Sequence, residues 1–364
     1  MPQPTKSHAA EPQLPAPAFH DPRHHITIYQ GDCLQILAAL PAASVDLIFA
    51  DPPYFLSNGG ITCHAGRMVS VNKGAWDRSR GPGENHEFNT AWLAACQRIL
   101  KPDASIWVSG TSHVIHSVGF AMQQLGFKLL NDISWVKPNP PPNLSCRYFT
   151  HATETVIWAA RDKKSRHEFN YKLMKKFAGG KQMKSVWTDI YPPQPWEKKF
   201  GKHPTQKPVA LLERILLASS SEGDLLLDPF LGSGTSALAA FRLRRRAIGC
   251  EFSGDFLSLS LSRICFDLIQ VRISVSSIEF SLDLFCDPVD RSNWTKSSAM
   301  DAPATTRLVR RERNYYFVGA SRREVIFSAP AEDLADAWRK FGTSSAGDTQ
   351  VIFVIKTETE IYLA

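Results

Sequence analysis

The segment Leu227-Asp228-Pro229-Phe230-Leu231-Gly232-Ser233-Gly234-Thr235 decides how this chain folds. An apolar strand, Asp224–Asp228, runs into it, and a helix, Thr235–Arg245, runs out of it. The two glycines let the backbone turn tightly between them. Such a turn presents free N–H groups and the positive end of a helix to an anionic ligand group. The next strand, Ala247–Glu251, ends in a carboxylate placed to accept hydrogen bonds from ribose hydroxyls. On these residues alone, two kinds of ligand stay open. Gly232, Gly234 and Ala237 satisfy the loose G-x-G-x-x-A spacing of a dinucleotide fold, so a nicotinamide-dependent oxidoreductase is one alternative. A P-loop is excluded, because no Gly-Lys-Ser/Thr follows.

The same alternation extends outward. Strands are expected at His24–Gln30, Val45–Ala50, Ser105–Ser109, Leu129–Val136 and Glu154–Ala160. Helices are expected at Cys33–Leu40, Phe88–Leu100, His113–Leu125 and Pro208–Ser219, with Lys101-Pro102-Asp103 as a turn and the Gly-rich Phe55–Glu84 as a long mobile loop. Strands alternating with helices predict an α/β fold with a doubly wound, mostly parallel sheet. Residues 1–22, rich in Pro and Ala, read as a flexible arm, and 23–270 as the main domain. From 273 to 364 the composition shifts towards Ser, Asp and Arg. Strands at Tyr315–Val318, Val351–Ile355 and Glu360–Leu363 around a helix at Pro330–Phe341 predict a small α+β extension.

Composition limits the function. With 364 residues, 43% of them hydrophobic and 21% charged, the chain can build a sizeable core, which excludes a disordered or collagen-like protein. No run of about 18 uncharged apolar residues predicts a membrane span, and the start lacks the apolar core of a signal peptide. Seven scattered cysteines without a C-x-x-C pair fit a reduced, cytoplasmic protein better than a disulfide framework or zinc module. His24-His25 and Cys63-His64 lack a second ligand pair, so no metal is expected. The net charge of +7 is unevenly placed: Lys137–Lys207 holds 15 Lys and Arg against 5 Asp and Glu, interleaved with ten aromatics. Cations that neutralise phosphates beside rings that stack on bases make a nucleic-acid surface. A solvated basic face over an aromatic core is the plainer alternative.

A second segment carries the chemistry. Asp51-Pro52-Pro53-Tyr54 stands at the carboxyl end of an apolar strand, the edge where open parallel sheets bind ligands. Two prolines fix the backbone, so the Asp51 carboxylate and the Pro52 carbonyl can point the same way. Together they offer acceptors for both hydrogens of one –NH₂ group, and Tyr54 offers a ring for a planar base. An exocyclic amine is a poor nucleophile because its lone pair is delocalised. Holding both hydrogens favours a pyramidal nitrogen with that pair free to attack.

With both segments present, the chain resembles the S-adenosylmethionine-dependent amino-methyltransferases that act on DNA. Asp51–Tyr54 matches their catalytic D-P-P-Y and Asp228–Thr235 their D-P-F-x-G-S-G-T cofactor motif. The order, catalytic motif first, is the permuted order of the β group, and His203-Pro204-Thr205-Gln206-Lys207-Pro208 matches the segment preceding the cofactor strand there. Asp at the first catalytic position points to N6 of adenine over N4 of cytosine. Three segments, DPPYFLSNGG (51–60), NLSCRYFT (143–150) and HPTQKP (203–208), resemble the second adenine methylases of Dpn II-type restriction–modification systems, which methylate GATC and tolerate single strands. The resemblance covers roughly Ile26–Leu268 and implies a circularly permuted, Rossmann-like class I methyltransferase. It implies that Asp51 and Pro52 hold the target amine, with Pro53 fixing the turn, and that Tyr54 stacks on the adenine. Phe230, Gly232, Ser233, Gly234 and Thr235 would line the methionine side of the cofactor, and Asp228 would belong to the same cofactor site. Glu251 would bind the ribose and Asp32 the cofactor's adenine, with Thr205 and Lys207 closing the pocket. Arg147, Tyr148 and Lys137 are the DNA contacts expected within a recognition region at 137–202. DNA, double- or single-stranded, is the expected partner, and a homodimer is left open.

Overall fold

The computed structural model describes residues 13–57, 61–64, 67–70, 74–269, 306–311 and 314–319. The chain divides into two compact units, Met1–Ser260 and Leu261–Ala364. In the first unit the strands are β1 (Phe19–Asp21), β2 (Ile26–Gln30), β3 (Val45–Ala50), β4 (Ile61–His64), β5 (Arg67–Ser70), β6 (Leu100–Gly110), β7 (Lys128–Val136), β8 (Thr153–Ala160), β9 (Val186–Trp187), β10 (Leu225–Asp228) and β11 (Arg246–Glu251). The helices are α1 (Cys33–Ala39), α2 (Pro82–Ile99), α3 (Ile115–Gln124), α4 (Tyr171–Phe177), α5 (Val209–Ser219) and α6 (Thr235–Arg242). A last helix, α7 (Gly254–Ile269), begins in the first unit.

Nine strands form one sheet in the order β1-β2-β11-β10-β3-β6-β8-β7-β9. The five from β2 to β6 run parallel, and β8 is antiparallel to both β6 and β7. Such a parallel centre needs cover on both faces, and the middles of these strands are accordingly mostly apolar and buried. Ile48, Ala50, Ile106 and Val108 join one core with Leu37 of α1, Trp92 of α2 and Val118 of α3. On the other face the Trp107 indole donates to Ser219 of α5 at 2.9 Å.

The topology fixes where a ligand can sit. β10 lies directly beside β3, with Leu226 and Leu227 opposite Leu47 and Ile48. The chain leaves β10 towards β11 on one side and β3 towards β6 on the other, so the strand order reverses here. At such a switch point the loops leaving adjacent strands diverge and open a crevice.

Several local expectations are revised. Residues 19–21 are the edge strand β1, antiparallel to β2, so the flexible-arm reading does not hold there. The Lys101-Pro102-Asp103 turn is an irregularity inside β6: Val45 pairs with Leu100 but Leu47 with Ser105, which lets the strand carry a proline. Phe55–Glu84 is not one loop. It holds the β4–β5 hairpin, a 3₁₀ turn at Ala75–Asp77 and the start of α2, where Pro82 takes the first-turn position that suits a residue without N–H. Within 137–202, the strand expected at Glu154–Ala160 is β8, which stands between β6 and β7. In the second unit, Thr306–Arg311 pairs antiparallel with Asn314–Gly319, where one strand was expected. The strands expected at Val351–Ile355 and Glu360–Leu363, and the helix at Pro330–Phe341, lie outside the described residues.

Candidate active site

The two motifs meet. A cavity of about 320 Å³ is lined by Asp51 and Pro53 from the tip of β3 and by Phe230, Gly232, Ser233 and Thr235 from the tip of β10. Its volume is within the usual range for a small-molecule site. Asp32, Thr205, Lys207, Asp228 and Glu251 also line it, whereas Gly234 does not. Gly234 caps α6 in the left-handed conformation, at φ 76°.

At the β10 tip the parts are local. The buried Asp228 carboxylate accepts from the Phe230 N–H at 2.9 Å and from the Ser236 hydroxyl, so it ties the turn to α6. Gly232 sits at φ 54°, and a Cβ there would stand 3.1 Å from the His203 ring. Glycine is required twice over, for the backbone angle and for the close approach of the 203–208 segment. Thr235 hydroxyl donates to the Lys207 carbonyl at 3.1 Å, a second tie to that segment. Glu251 accepts from the N–H groups of Gly232 at 2.7 Å and Ser253 at 2.8 Å. Burial raises both carboxyls to about 7, with backbone donors opposing the rise at each and Ser236 adding to them at Asp228. Asp32 both lines the cavity and caps α1, accepting from Leu34 N–H at 2.8 Å.

The β3 tip is assembled from distant parts. Asp51 Oδ1 lies 2.6 Å from the Ser109 hydroxyl and 2.7 Å from the Tyr54 hydroxyl, and Oδ2 takes the Lys207 ammonium at 2.7 Å. Lys207 also reaches Glu154 Oε1 at 2.9 Å, and Glu154 Oε2 pairs with Lys137 at 2.6 Å. Two carboxylates and two ammonium groups therefore alternate from the cavity outward to Lys137. Burial disfavours charge on Lys207, but Asp51 and Glu154 outweigh it and hold its pKa above the usual lysine value. Burial likewise opposes the Glu154 charge, and Lys207 and Lys137 overcome it and hold that carboxyl well below its usual value. Tyr54 stays a phenol, because burial and then the two neighbouring carboxylates push its pKa far up.

Beneath the tip, Asp77 is fully buried and accepts from the N–H groups of Tyr54 at 2.8 Å, Phe55 at 2.8 Å and Leu56 at 3.2 Å. Phe55 takes φ 58°, which turns these successive N–H groups onto one carboxylate. Strain of this kind persists only where the surroundings over-determine it. Next to Asp77, Trp76 lines the cavity and stacks on His203, with centroids 6.4 Å apart.

Three sequence expectations change here. Tyr54 does not present its ring to the cavity: it is 5% exposed, its ring belongs to the core and its hydroxyl is held by Asp51 and Glu154. Lys207, expected to close the cofactor pocket, also bridges the Asp51 carboxylate to Glu154 through its ammonium. Lys137, expected on DNA, is ion-paired at the outer end of that network. Arg147 and Tyr148 are exposed on the β7–β8 loop. Glu154, Asp77, Ser109, Trp76 and His203 were not singled out. Nothing in their local sequence marks them, except that His203 opens the HPTQKP segment.

A doubly wound sheet whose switch point joins a glycine turn and a buried carboxylate to a D-P-P-Y tip defines an S-adenosylmethionine-dependent methyltransferase. The chain belongs to the family described as DNA methylase, which matches residues 45–261. It is similar to Type II methyltransferase M2.DpnII of Streptococcus pneumoniae, 52% identical over 243 residues, 66% of this chain and 90% of that protein. It is also similar to Type II methyltransferase M2.MboI of Moraxella bovis, 48% identical over 247 residues, 68% of this chain and 90% of that one. Among solved structures, the cytosine-N4-specific PvuII DNA methyltransferase superposes with a TM-score of 0.54 at 21% identity, covering 68% of this chain and 88% of that chain. That likeness concerns the fold. The mostly parallel α/β sheet agrees with the fold class expected from sequence.

Proposed function

We propose that this enzyme transfers a methyl group to N6 of adenine in DNA, at GATC sites, as the second methylase of a Dpn II-type restriction–modification system, and that it works in the cytoplasm. The observation that carries this reading is the meeting of the Asp51 carboxylate and the Gly232 turn on one cavity. Asp at position 51 favours adenine, and the GATC site follows from the three segments quoted above. Cys33, Cys96, Cys146 and Cys250 carry free thiols, which suits a reducing compartment. Among the described residues no helix is long and apolar enough to cross a membrane.

The donor set fits the cofactor: Glu251 for the ribose hydroxyls, Asp32 for the adenine edge, and Phe230 with the Gly232–Thr235 turn for the methionine side. When bound, S-adenosylmethionine supplies a methyl carbon attached to a cationic sulfur. Asp51 has acceptor sites for about four donors, of which Ser109, Tyr54 and Lys207 use three, leaving one for an amine hydrogen. When the Tyr54 proton points to Glu154 instead, at 2.7 Å, a second site on Asp51 opens. Lys207 and Ser109 fix the carboxylate before the base arrives, so its orientation costs nothing at the moment of reaction. After methyl transfer the nitrogen must shed a proton, and the carboxylate that held its hydrogen is placed to receive it.

Incubation with labelled cofactor and DNA containing or lacking GATC, followed by mass spectrometry of the nucleosides, tests the proposal. N6-methyladenine confined to the GATC duplexes and single strands is expected. N4-methylcytosine, or no label in DNA, would overturn it.

A further inference from the structure

Of the large apolar side chains exposed among the described residues, Phe149 is the most exposed, at 96%. It stands near the end of the β7–β8 loop, in surroundings that give the loop a defined shape. The stem closes where Val136 pairs with Thr153 and the Lys137 N–H donates to the Ala152 carbonyl at 2.7 Å. Within the loop, the Asn143 side-chain Oδ1 accepts from the Ser145 N–H and hydroxyl, at 3.0 and 2.6 Å, while its Nδ2 donates to the Tyr148 carbonyl at 2.5 Å. Cys146 reverses the chain at φ 52°. Arg147 is exposed beside it, and Tyr148 is 61% exposed.

The place of this loop relative to the chemistry decides what the phenyl ring is for. Both ends of its stem belong to the active-site network: Lys137 follows β7, Glu154 lies in β8, and Glu154 reaches Asp51 through Lys207. Phe149 is five residues from Glu154, so the ring's backbone lies at most about 17 Å away along the chain. An adenine inside a duplex cannot reach a cavity at a sheet edge and must swing out, leaving an unstacked gap. The partner that accepts a flat apolar group while being attracted to a basic stretch is stacked nucleic acid, and apolar side chains wedged between base steps are a recurrent means of holding such gaps open.

We infer that Phe149 enters the gap left by the extruded adenine, with Arg147 on the adjoining phosphates, and so stabilises the flipped state of a duplex substrate. This rests on the adenine-methylation reading above. It predicts a defect confined to duplex DNA, since a single strand has no gap to fill.

The test compares wild type with Phe149→Ala and Phe149→Trp on a duplex and on the single strand of the same sequence. With Phe149→Ala the ratio of duplex to single-strand rate is expected to fall about tenfold, and Phe149→Trp to restore most of it. A duplex carrying 2-aminopurine at the target adenine should brighten on binding wild type and much less on binding Phe149→Ala. Equal loss on both substrates, or no loss on either, would overturn the inference, as would a change of oligomeric state in the variant, which would assign Phe149 to contact between copies. Wild type is the control for the underlying reading: if it methylates neither substrate, that reading fails, whatever Phe149 does.

Discussion

The tips of β10 and β3 are neighbours in the sheet, yet they are built by opposite means. The β10 tip takes its parts from its own vicinity: Asp228 holds Phe230 and Ser236, and Glu251 of the next strand holds Gly232. The β3 tip draws on four remote side chains, Asp77, Ser109, Glu154 and Lys207, the last of them 156 residues away in sequence. A cofactor pocket mainly needs a backbone shape, which nearby glycines and carboxylates provide. Holding a weakly nucleophilic amine needs a carboxylate that is charged, fixed and only partly buried, and that requires charges gathered from across the fold. The two tips should therefore fail differently.

The sharpest separation comes from Asp51→Ala. It removes the carboxylate proposed to prepare the amine but leaves the Gly232 turn and Glu251 untouched. Methyl transfer should fall by about 10³-fold or more, with S-adenosylmethionine still raising the melting temperature nearly as much as in wild type. A comparable loss of cofactor affinity would mean that the two tips are not separable.

Glu154 tests whether the remote network matters to the β3 tip. Glu154→Ala leaves Lys207 and Lys137 buried or half-buried without their shared partner, and Tyr54 without one of its acceptors. Removing one side of a buried ion pair costs about 3–5 kcal/mol, which denaturant titration would detect. Glu154→Gln keeps an acceptor for Tyr54 but not the charge, and should fold better. Its kcat should fall about tenfold, with the KM for cofactor unchanged, because Lys207 would shift towards Asp51 and weaken it as an acceptor. An unchanged kcat in Glu154→Gln would reduce Glu154 to a purely structural group.

The same contrast explains what could be read in advance. The glycine turn, the two strands beside it and the D-P-P-Y tip were legible because backbone geometry restricts them to few residue types. Glu154 carries no such mark: it is one carboxylate in a basic stretch, and only the antiparallel insertion of β8 between β6 and β7 brings it to Lys207. Asp77 was hidden for the same reason, inside a stretch whose glycines read as a loop. Lys137 was read as a DNA contact, because its ion-pair partner lies 17 residues on, across a loop closure that no local pattern reveals. Of the ten aromatics in the basic stretch, sequence could not separate the buried Trp158 and Trp187 from the exposed Tyr148 and Phe149.

The smallest effect concerns the β10 tip and pH. Burial raises Asp228 and Glu251 to about 7, above their usual values near 4. Between those values the folded chain holds more protons than the unfolded one, so their contribution to stability is largest at low pH and is lost as pH rises towards 7. Cofactor binding should run the other way, because ribose hydroxyls donate to a carboxylate and a protonated Glu251 must first give up its proton. The Kd for S-adenosylmethionine is therefore expected to rise as pH falls below about 7, by up to about tenfold per pH unit. Calorimetric titration between pH 5.5 and 8 measures it, and Glu251→Gln should flatten that part of the profile. Comparison with the variant cancels the cofactor's own titration. It also isolates Glu251 from Asp228, whose oxygens accept from the Phe230 N–H and the Ser236 hydroxyl. A slope that survives in Glu251→Gln would place the proton on Asp228 and make the turn itself the pH-sensitive part, while the β3 tip, whose pairing holds Glu154 low and Lys207 high, should show no such slope in either chain.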